Sequence, residues 1–232
     1  SAIKGRVPFL HFFDGFRTSH EIQKIECIDY DELAKIIDMD AVNTFKRNAL
    51  NPEHPVIRGT AQNPDIYFQG REAANKFYNA LPAVVEEYMG EISRITGRDY
   101  RLFNYYGAAD ADRIIIAMGS ACEAIEETID YLTAKGEKVG LVKVHLFRPF
   151  VAEKLLEVIP ATAKKIAVLD RTKEPGAQGE PLYMDVCTAL FEAESAPVVV
   201  GGRYGLGSKD VTPAQFLAVY ANLTLDKPKN HF

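Results

Sequence analysis

The sequence has few cysteines and no long apolar segment. Its three cysteines, Cys27, Cys122 and Cys187, are widely spaced and odd in number, which is neither a disulfide framework nor a zinc or iron–sulfur ligand set. We therefore expect three small core residues in a reducing, cytoplasmic setting. No apolar run approaches the roughly 20 residues that span a bilayer, and the amino end lacks the features of a signal peptide.

An excess of basic residues is also missing. Lys and Arg number 27 against 32 Asp and Glu, which gives a net charge of −5, and the acidic excess is spread evenly along the chain. This composition provides no basic surface for nucleic acid or membrane. With 47% hydrophobic and 25% charged residues among 232, the chain has the composition of an ordinary soluble globular protein of one or two domains.

The carboxyl-terminal half alternates strand and helix patterns. Apolar runs predict strands, and amphipathic spacing predicts the helices between them. The predicted strands are 113–118, 139–147, 165–170 and 197–201, and the predicted helices are 120–136, 151–159, 181–192 and 212–220. This alternation predicts an α/β fold with a parallel-rich sheet and helices on both faces. Ser120 with Glu123 three residues later predicts a capping box.

The amino-terminal half is less regular. An apolar run predicts a strand at 7–13, and a polar turn follows at 14–21. Short helices are predicted at 29–37 and from Asp38 onward, before a stretch broken by prolines. Helical spacing returns over 71–95, where Pro82 is expected to kink or split the helix.

These patterns predict three regions: the end of one α/β unit at 1–28, a linker and helical lead-in at 29–112, and a complete α/β domain at 113–232. The first methionine is Met39, and the sequence opens on a predicted strand. We therefore expect a piece of a longer polypeptide. A processed mature terminus is the alternative.

Three candidate ligand segments follow predicted strands, where open α/β sheets bind their ligands. Gly119 and Ser120 offer helix amides to a phosphate, but structural capping is the favoured interpretation. The loop 170–180 suits an anion or another domain. The loop 201–210 matches neither nucleotide-binding fingerprint. The weak cofactor-binding candidates in the two loops are Arg171, Lys173, Arg203 and Lys209.

A fourth candidate is the turn at 14–21. Arg17 is suited to binding a carboxylate or phosphate, and His20 is suited to titration near neutral pH. The equally weighted alternative is that the charged groups of this turn, which begins at Asp14, form an ion-pair network at a domain edge. No Ser/His/Asp or Cys/His set is present, and no nucleophile has a local signature. The residues alone therefore predict no self-sufficient active site and no metal site.

Several long motifs occur in order along the chain. They are DGFRTSHEIQKI (14–25), NPDIYFQGREAANKFY (63–78), LVKVHLFRPF (141–150), LDRTKEPGAQGEPLY (169–183) and GGRYGLGSKD (201–210). With these motifs the sequence resembles the pyruvate:ferredoxin (flavodoxin) oxidoreductase family. The resemblance implies that 1–28 is the tail of the thiamine pyrimidine-binding domain. It also implies that 113–232 is similar to the carboxyl-terminal domain of transketolase.

The resemblance further implies a parent enzyme that converts pyruvate and coenzyme A to acetyl-CoA and CO₂. Its cofactors would be thiamine diphosphate, Mg²⁺ and [4Fe–4S] clusters, and its electrons would pass to ferredoxin or flavodoxin. The parent would be a homodimer, and the other domains of the same polypeptide would be this segment's neighbours.

In the family, the residues that bind pyruvate, the cofactor and the clusters lie outside the matched region. The resemblance therefore assigns this chain no cofactor of its own and a mainly structural role. Asp14, Arg17 and His20 are expected at the edge of the thiamine domain. The alternatives are a docking module for coenzyme A or a redox partner, and the equivalent domain of another thiamine diphosphate enzyme.

Overall fold

The computed structural model describes residues 1–15, 17–57, 59–191, 193 and 196–232. The chain divides into two compact units: unit 1 comprises residues 1–11 and 24–101, and unit 2 comprises residues 12–23 and 102–232. Residues 12–23, which we call the strap and which contain the short helix α2 (Arg17–His20), therefore belong to unit 2 although both of their neighbouring segments belong to unit 1.

Unit 1 is helical. Its helices are α1 (Ala2–Gly5), α3 (Tyr30–Ile36), α4 (Met39–Arg47), α5 (Pro64–Ala73) and α6 (Asn75–Thr96). The two predicted short helices are confirmed: the Asp29 carboxylate accepts a hydrogen bond from the Asp31 N–H at 2.9 Å at the start of α3. The Asp38 carboxylate accepts one from the Ala41 N–H at 2.8 Å at the start of α4.

Of the two outcomes predicted at Pro82, a kink or a split, the split is wrong, because α6 runs through this residue. A proline removes one hydrogen bond from the helix, and the neighbouring side chains of Leu81 and Val85 are buried, which holds the helix together on both sides. Pro64 begins α5 instead of breaking it, since the first turn of a helix needs no N–H at that position.

The predicted strand at 7–13 is also wrong, since these residues form no strand in the described part of the chain. The side chains of Leu10, Phe12 and Phe13 are exposed. The apolar run therefore does not belong to a core strand. Cys27 was expected in the core, but it is exposed, whereas Cys122 is buried and Cys187 half-buried.

Unit 2 is built on a mixed sheet of five strands among the described residues, in the order β1-β3-β2-β4-β5. The strands are β1 (Phe103–Gly107), β2 (Arg113–Ala117), β3 (Val139–Val144), β4 (Lys165–Asp170) and β5 (Val198–Arg203). The strands β3, β2, β4 and β5 are parallel to one another, and β1 pairs antiparallel with β3. The predicted α/β fold with a parallel-rich sheet is thus confirmed.

Two helices cover each face of the sheet. Ile115 of β2 and Ala167 of β4 share a buried cluster with α7 (Ala121–Thr133) and α10 (Pro213–Thr224). The alternate residues Ile166 and Val168 are buried outside that cluster, toward α8 (Ala152–Val158) and α9 (Pro181–Phe191). The helix predicted to end at Glu192 is observed to Phe191, and Glu192 lies outside the described residues.

The edge strand β1 lies within the segment predicted as linker and helical lead-in, so the sheet begins before residue 113. Its sequence FNYYG mixes polar and aromatic residues and lacks the continuous apolar run of a buried strand. The ring of Tyr105 lies over Gly140 on β3, where a side chain would collide with it. The strand is therefore specified by its neighbour more than by its own pattern.

Candidate functional site

The candidate residues gather at the carboxyl ends of the parallel strands of unit 2. The strands β2, β4 and β5 are parallel and adjacent, so their carboxyl ends lie at one edge of the sheet. Ser120 follows β2, Arg171 follows β4, and Tyr204 follows β5. This is the edge where open α/β sheets bind their ligands.

A carboxylate of the chain itself occupies this edge. The Asp14 Oδ2 atom accepts hydrogen bonds from the Ser120 N–H at 2.7 Å and from the Ser120 hydroxyl at 2.5 Å. The Asp14 Oδ1 atom lies 3.3 Å from Arg171 Nη1. We call Asp14, Ser120 and Arg171 the Asp14 cluster. Its carboxylate compensates the positive end of the α7 dipole.

The predicted capping box at Ser120 is wrong, because the Ser120 side chain makes no capping hydrogen bond to α7. It donates instead to Asp14, whose charge makes it the stronger acceptor. Gly119 has a φ of +79°, and a Cβ atom there would lie 2.8 Å from Asp14 Oδ2. Glycine at this position therefore supports both the turn and the approach of the carboxylate.

Two titratable side chains next to the Asp14 cluster are held neutral. Burial, with a smaller contribution from the charge of Asp14, raises the pKa of Tyr204 well above its ordinary value, and the Tyr204 hydroxyl donates to the Met118 carbonyl at 3.3 Å. Burial raises the pKa of the Cys122 thiol to about 12. Neither group is suited to act as a nucleophile or base at neutral pH.

The other candidates of the turn lie at the surface. Arg17 Nε is 2.6 Å from Asp210 Oδ1 in an exposed ion pair. The His20 Nδ1 atom is 3.1 Å from the Ser19 hydroxyl, also at the surface. Lys209 is exposed beside this pair. The structure therefore brings Asp14 and Arg171 together, but it places Arg17, His20 and Lys209 outside the Asp14 cluster.

The buried carboxylate of Asp170, at the end of β4, caps α9. Its two oxygens accept hydrogen bonds from the backbone N–H groups of Leu182 at 3.0 Å and Tyr183 at 3.1 Å. Burial raises the pKa of Asp170, although these two hydrogen bonds oppose the shift. The residue closes the loop 170–180 onto the start of the helix.

A second buried carboxylate pairs the remaining loop candidates. Glu180 is 2% exposed, and its carboxylate accepts hydrogen bonds from Arg203 Nη1 at 3.2 and 3.3 Å. Lys173 Nζ lies 3.7 Å away. Burial alone would raise the pKa of Glu180, but Arg203, a backbone N–H and Lys173 outweigh it and lower the pKa. We call these three residues the Glu180 cluster.

An open recess adjoins the Glu180 cluster. Its polar lining carries two cationic side chains, one imidazole and one carboxylate. The lining residues are Lys173, Ala177, Gln178, Gly179, Glu180, Arg203 and His231. Lys173 and Arg203 give this recess two cationic side chains of the kind that bind a phosphate group.

The carboxylates of Asp14, Asp170 and Glu180 are each paired with donors of the chain itself. Within the described ranges, no group of three or more His, Cys, Asp or Glu side chains is arranged to hold a metal ion. The same residues include no helix long and apolar enough to cross a membrane.

Sequence reasoning did not predict that Ser120 pairs with Asp14 or that Glu180 pairs with Arg203, and it assigned no role to Asp170 or Tyr204. A signal existed for Asp170, which ends an apolar strand eleven residues before a helix that starts with proline. None existed for the pairing of Asp14 with Ser120, because the two residues are 106 positions apart.

Two family models match the chain. The model described as pyruvate flavodoxin/ferredoxin oxidoreductase, thiamine diphosphate-binding, matches residues 1–90. The model described as pyruvate:ferredoxin oxidoreductase core domain II matches residues 111–216.

Curated relatives match over the whole chain. They include pyruvate-flavodoxin oxidoreductase of Enterobacter agglomerans and pyruvate:ferredoxin oxidoreductase of Moorella thermoacetica. Each is 61% identical over 232 residues, which cover 100% of this chain and 20% of the relative. The chain therefore spans one fifth of the length of these relatives.

Two solved structures are similar to parts of the chain. A 2-oxoglutarate:ferredoxin oxidoreductase from Magnetococcus marinus has a TM-score of 0.46 at 20% identity, covering 70% of this chain and 24% of that chain. A split-gene transketolase has a TM-score of 0.41 at 22% identity, covering 56% of this chain and 45% of that chain.

Proposed function

Because the chain belongs to the pyruvate flavodoxin/ferredoxin oxidoreductase family, we propose that it is a structural segment of such an enzyme. The parent converts pyruvate and coenzyme A to acetyl-CoA and CO₂ and passes the electrons to ferredoxin or flavodoxin. The segment itself supplies an α/β domain that packs against the other domains of the polypeptide and is not active alone.

This proposal rests on the carboxylates at the carboxyl ends of the parallel strands, which are paired with donors of the chain itself. Asp14, Asp170 and Glu180 each accept hydrogen bonds from backbone or side-chain donors of unit 2. Charged groups that satisfy each other in this way stabilise a domain and leave little capacity for binding a substrate.

We place the cofactors outside this segment. Thiamine diphosphate with Mg²⁺ and the [4Fe–4S] clusters are held by other parts of the parent, because the carboxylates at the edge of the sheet are engaged and the three cysteines lie far apart in the sequence. Asp14, Arg17 and His20 lie at the edge of the thiamine domain. The parent works in the cytoplasm as a homodimer.

The test is an assay of the complete polypeptide that carries this segment, purified under anaerobic conditions. We expect reduction of ferredoxin or flavodoxin that requires both pyruvate and coenzyme A. Reduction that proceeds with another 2-oxoacid, but not with pyruvate, would contradict the proposed substrate. Reduction without coenzyme A would contradict the proposed acceptor of the acetyl group.

The recess beside the Glu180 cluster supports a second candidate function, which is docking of coenzyme A. Lys173, Arg203 and His231 are among the residues that line the recess, so a phosphate of coenzyme A would meet two cationic side chains there. A ligand that binds only the folded state raises the melting temperature.

This second candidate is tested on the 232-residue chain with coenzyme A as the probe. Docking predicts a rise in melting temperature that is lost in Lys173→Ala and kept in the control Lys209→Ala. An equal melting temperature with and without millimolar coenzyme A would rule out this candidate and leave the structural role.

A further inference from the structure

We infer that Asp14 is the anchor that fastens the strap to unit 2. The strap lies in the region matched by the thiamine diphosphate-binding model, but it belongs to the same compact unit as the region matched by core domain II. The strap is therefore a docking element through which the α/β domain holds a segment of the neighbouring domain.

The first step is that the described apolar residues of the strap bury little surface. Phe12, Phe13 and Ile22 have relative exposures of 60%, 66% and 102%. Among the described residues of the strap, only Asp14 and Thr18 are not exposed. Since apolar side chains stabilise a contact in proportion to the area that they bury, these three contribute little.

The second step compares two ion pairs formed by described residues of the strap. Arg17 and Asp210 form a pair whose side chains are 59% and 61% exposed, and pairs of this kind contribute little because water and salt screen them. Asp14 and Arg171 are 15% and 22% exposed, so their attraction is screened less.

The third step is that the surface of unit 2 around Ser120 and Arg171 fits a carboxylate. The Ser120 N–H and hydroxyl both point at Asp14 Oδ2. The Arg171 Nε–H donates to the Gly205 carbonyl at 3.2 Å, which orients the guanidinium toward Asp14. Gly119 leaves room where any side chain would meet the carboxylate. The donors of Ser120, the guanidinium of Arg171 and the space at Gly119 thus all fit the Asp14 carboxylate of the strap.

The test is limited proteolysis of the 232-residue chain by trypsin after Arg17, combined with hydrogen exchange of the Ser120 amide. In Asp14→Ala we expect cleavage after Arg17 and exchange at Ser120 to be faster by about tenfold or more, since hydrogen bonds to charged groups have this strength. Asp14→Asn keeps an oxygen acceptor but no charge, and we expect an intermediate rate.

The matched control is Asp210→Asn, which removes the carboxylate that pairs with Arg17 of the strap. We expect its cleavage rate to stay within about twofold of that of the original chain. Exchange of the β2 and β4 amides reports whether unit 2 stays folded. If Asp14→Ala unfolds unit 2, the test is made with Arg171→Ala instead, because this variant removes the partner of Asp14 and leaves the strap itself unchanged. The proposal would be overturned if the folded variant were cleaved after Arg17 at the original rate. It would also be overturned if Asp210→Asn accelerated this cleavage as much as Asp14→Ala does.

Discussion

The Asp14 carboxylate and the Ser120 backbone N–H are 106 positions apart in the sequence, and they form a 2.7 Å hydrogen bond at the start of α7. A helix usually receives its amino-terminal cap from a residue next to it. Here the cap comes from the strap, and Ser120 supplies a second donor to it. One contact thus both stabilises α7 and fills the edge of the sheet where a ligand would otherwise bind.

Asp170 provides a test of capping within the α/β domain. Replacing it by alanine leaves the buried N–H of Leu182 and the partly buried N–H of Tyr183 without their acceptor, so we expect a loss of about 1–3 kcal/mol in the free energy of unfolding. Asp170→Asn, which keeps one oxygen acceptor, should lose less. Urea denaturation measures both, and unchanged stability in the alanine variant would refute the capping role.

Glu180 predicts how stability depends on pH. Its pKa is lowered from 4.5 in the folded chain, so its contribution is complete above pH 4.5 and is lost as the pH falls through the lowered value. The raised pKa of Asp170 changes the stability with pH in the opposite direction. The chain is therefore compared with Glu180→Gln, so that the difference between the two reports the contribution of Glu180. We expect the difference in unfolding free energy between the two to shrink on acidification. A difference that is independent of pH from 3 to 7 would contradict the buried pair with Arg203.

Gly202 tests the packing at the edge of β5. The Arg203 N–H donates to the Phe232 carbonyl at 2.8 Å. A Cβ atom on Gly202 would collide with the Phe232 ring and lie 2.9 Å from a methyl group of Leu169. We expect Gly202→Ala to lower the unfolding free energy by about 1–3 kcal/mol.

The control for this substitution is Gly70→Ala. Gly70 lies in α5, and a Cβ atom there meets nothing, so the helix should gain about 0.5–1 kcal/mol. Thermal denaturation followed by circular dichroism compares the two variants. Equal effects of the two substitutions would show that Phe232 does not pack against β5 as described.

The strands β2 to β5 could be predicted because each is a continuous apolar run, which is the pattern of a strand buried on both faces. The edge strand β1 could not, since its Asn104, Tyr105 and Tyr106 fit no alternating pattern and β3 determines its position. The run at 7–13 has the pattern of a strand but not the burial, because a sequence does not indicate which apolar residues are covered by the rest of a larger protein.

In the candidate site too, features that depend on neighbouring residues could be predicted, whereas contacts between residues far apart in the sequence could not. The loops after β4 and β5 were located correctly, because they follow predicted strands. Their partners were not, because the contacts of Asp14 with Ser120 and of Glu180 with Arg203 join residues far apart in the sequence. The capping-box pattern predicted that the Ser120 side chain caps α7. In the structure this side chain donates instead to the Asp14 carboxylate of the strap, which is the stronger acceptor.

The central claim is that this segment is a structural part of its parent and binds no cofactor by itself. The most direct measurement is the melting temperature of the 232-residue chain with thiamine diphosphate and Mg²⁺, with coenzyme A and with flavodoxin, each added separately at saturating concentration. The account predicts the same melting temperature in all three cases as without ligand. A rise with thiamine diphosphate and Mg²⁺ would contradict it, because a ligand bound by the folded chain must stabilise that chain.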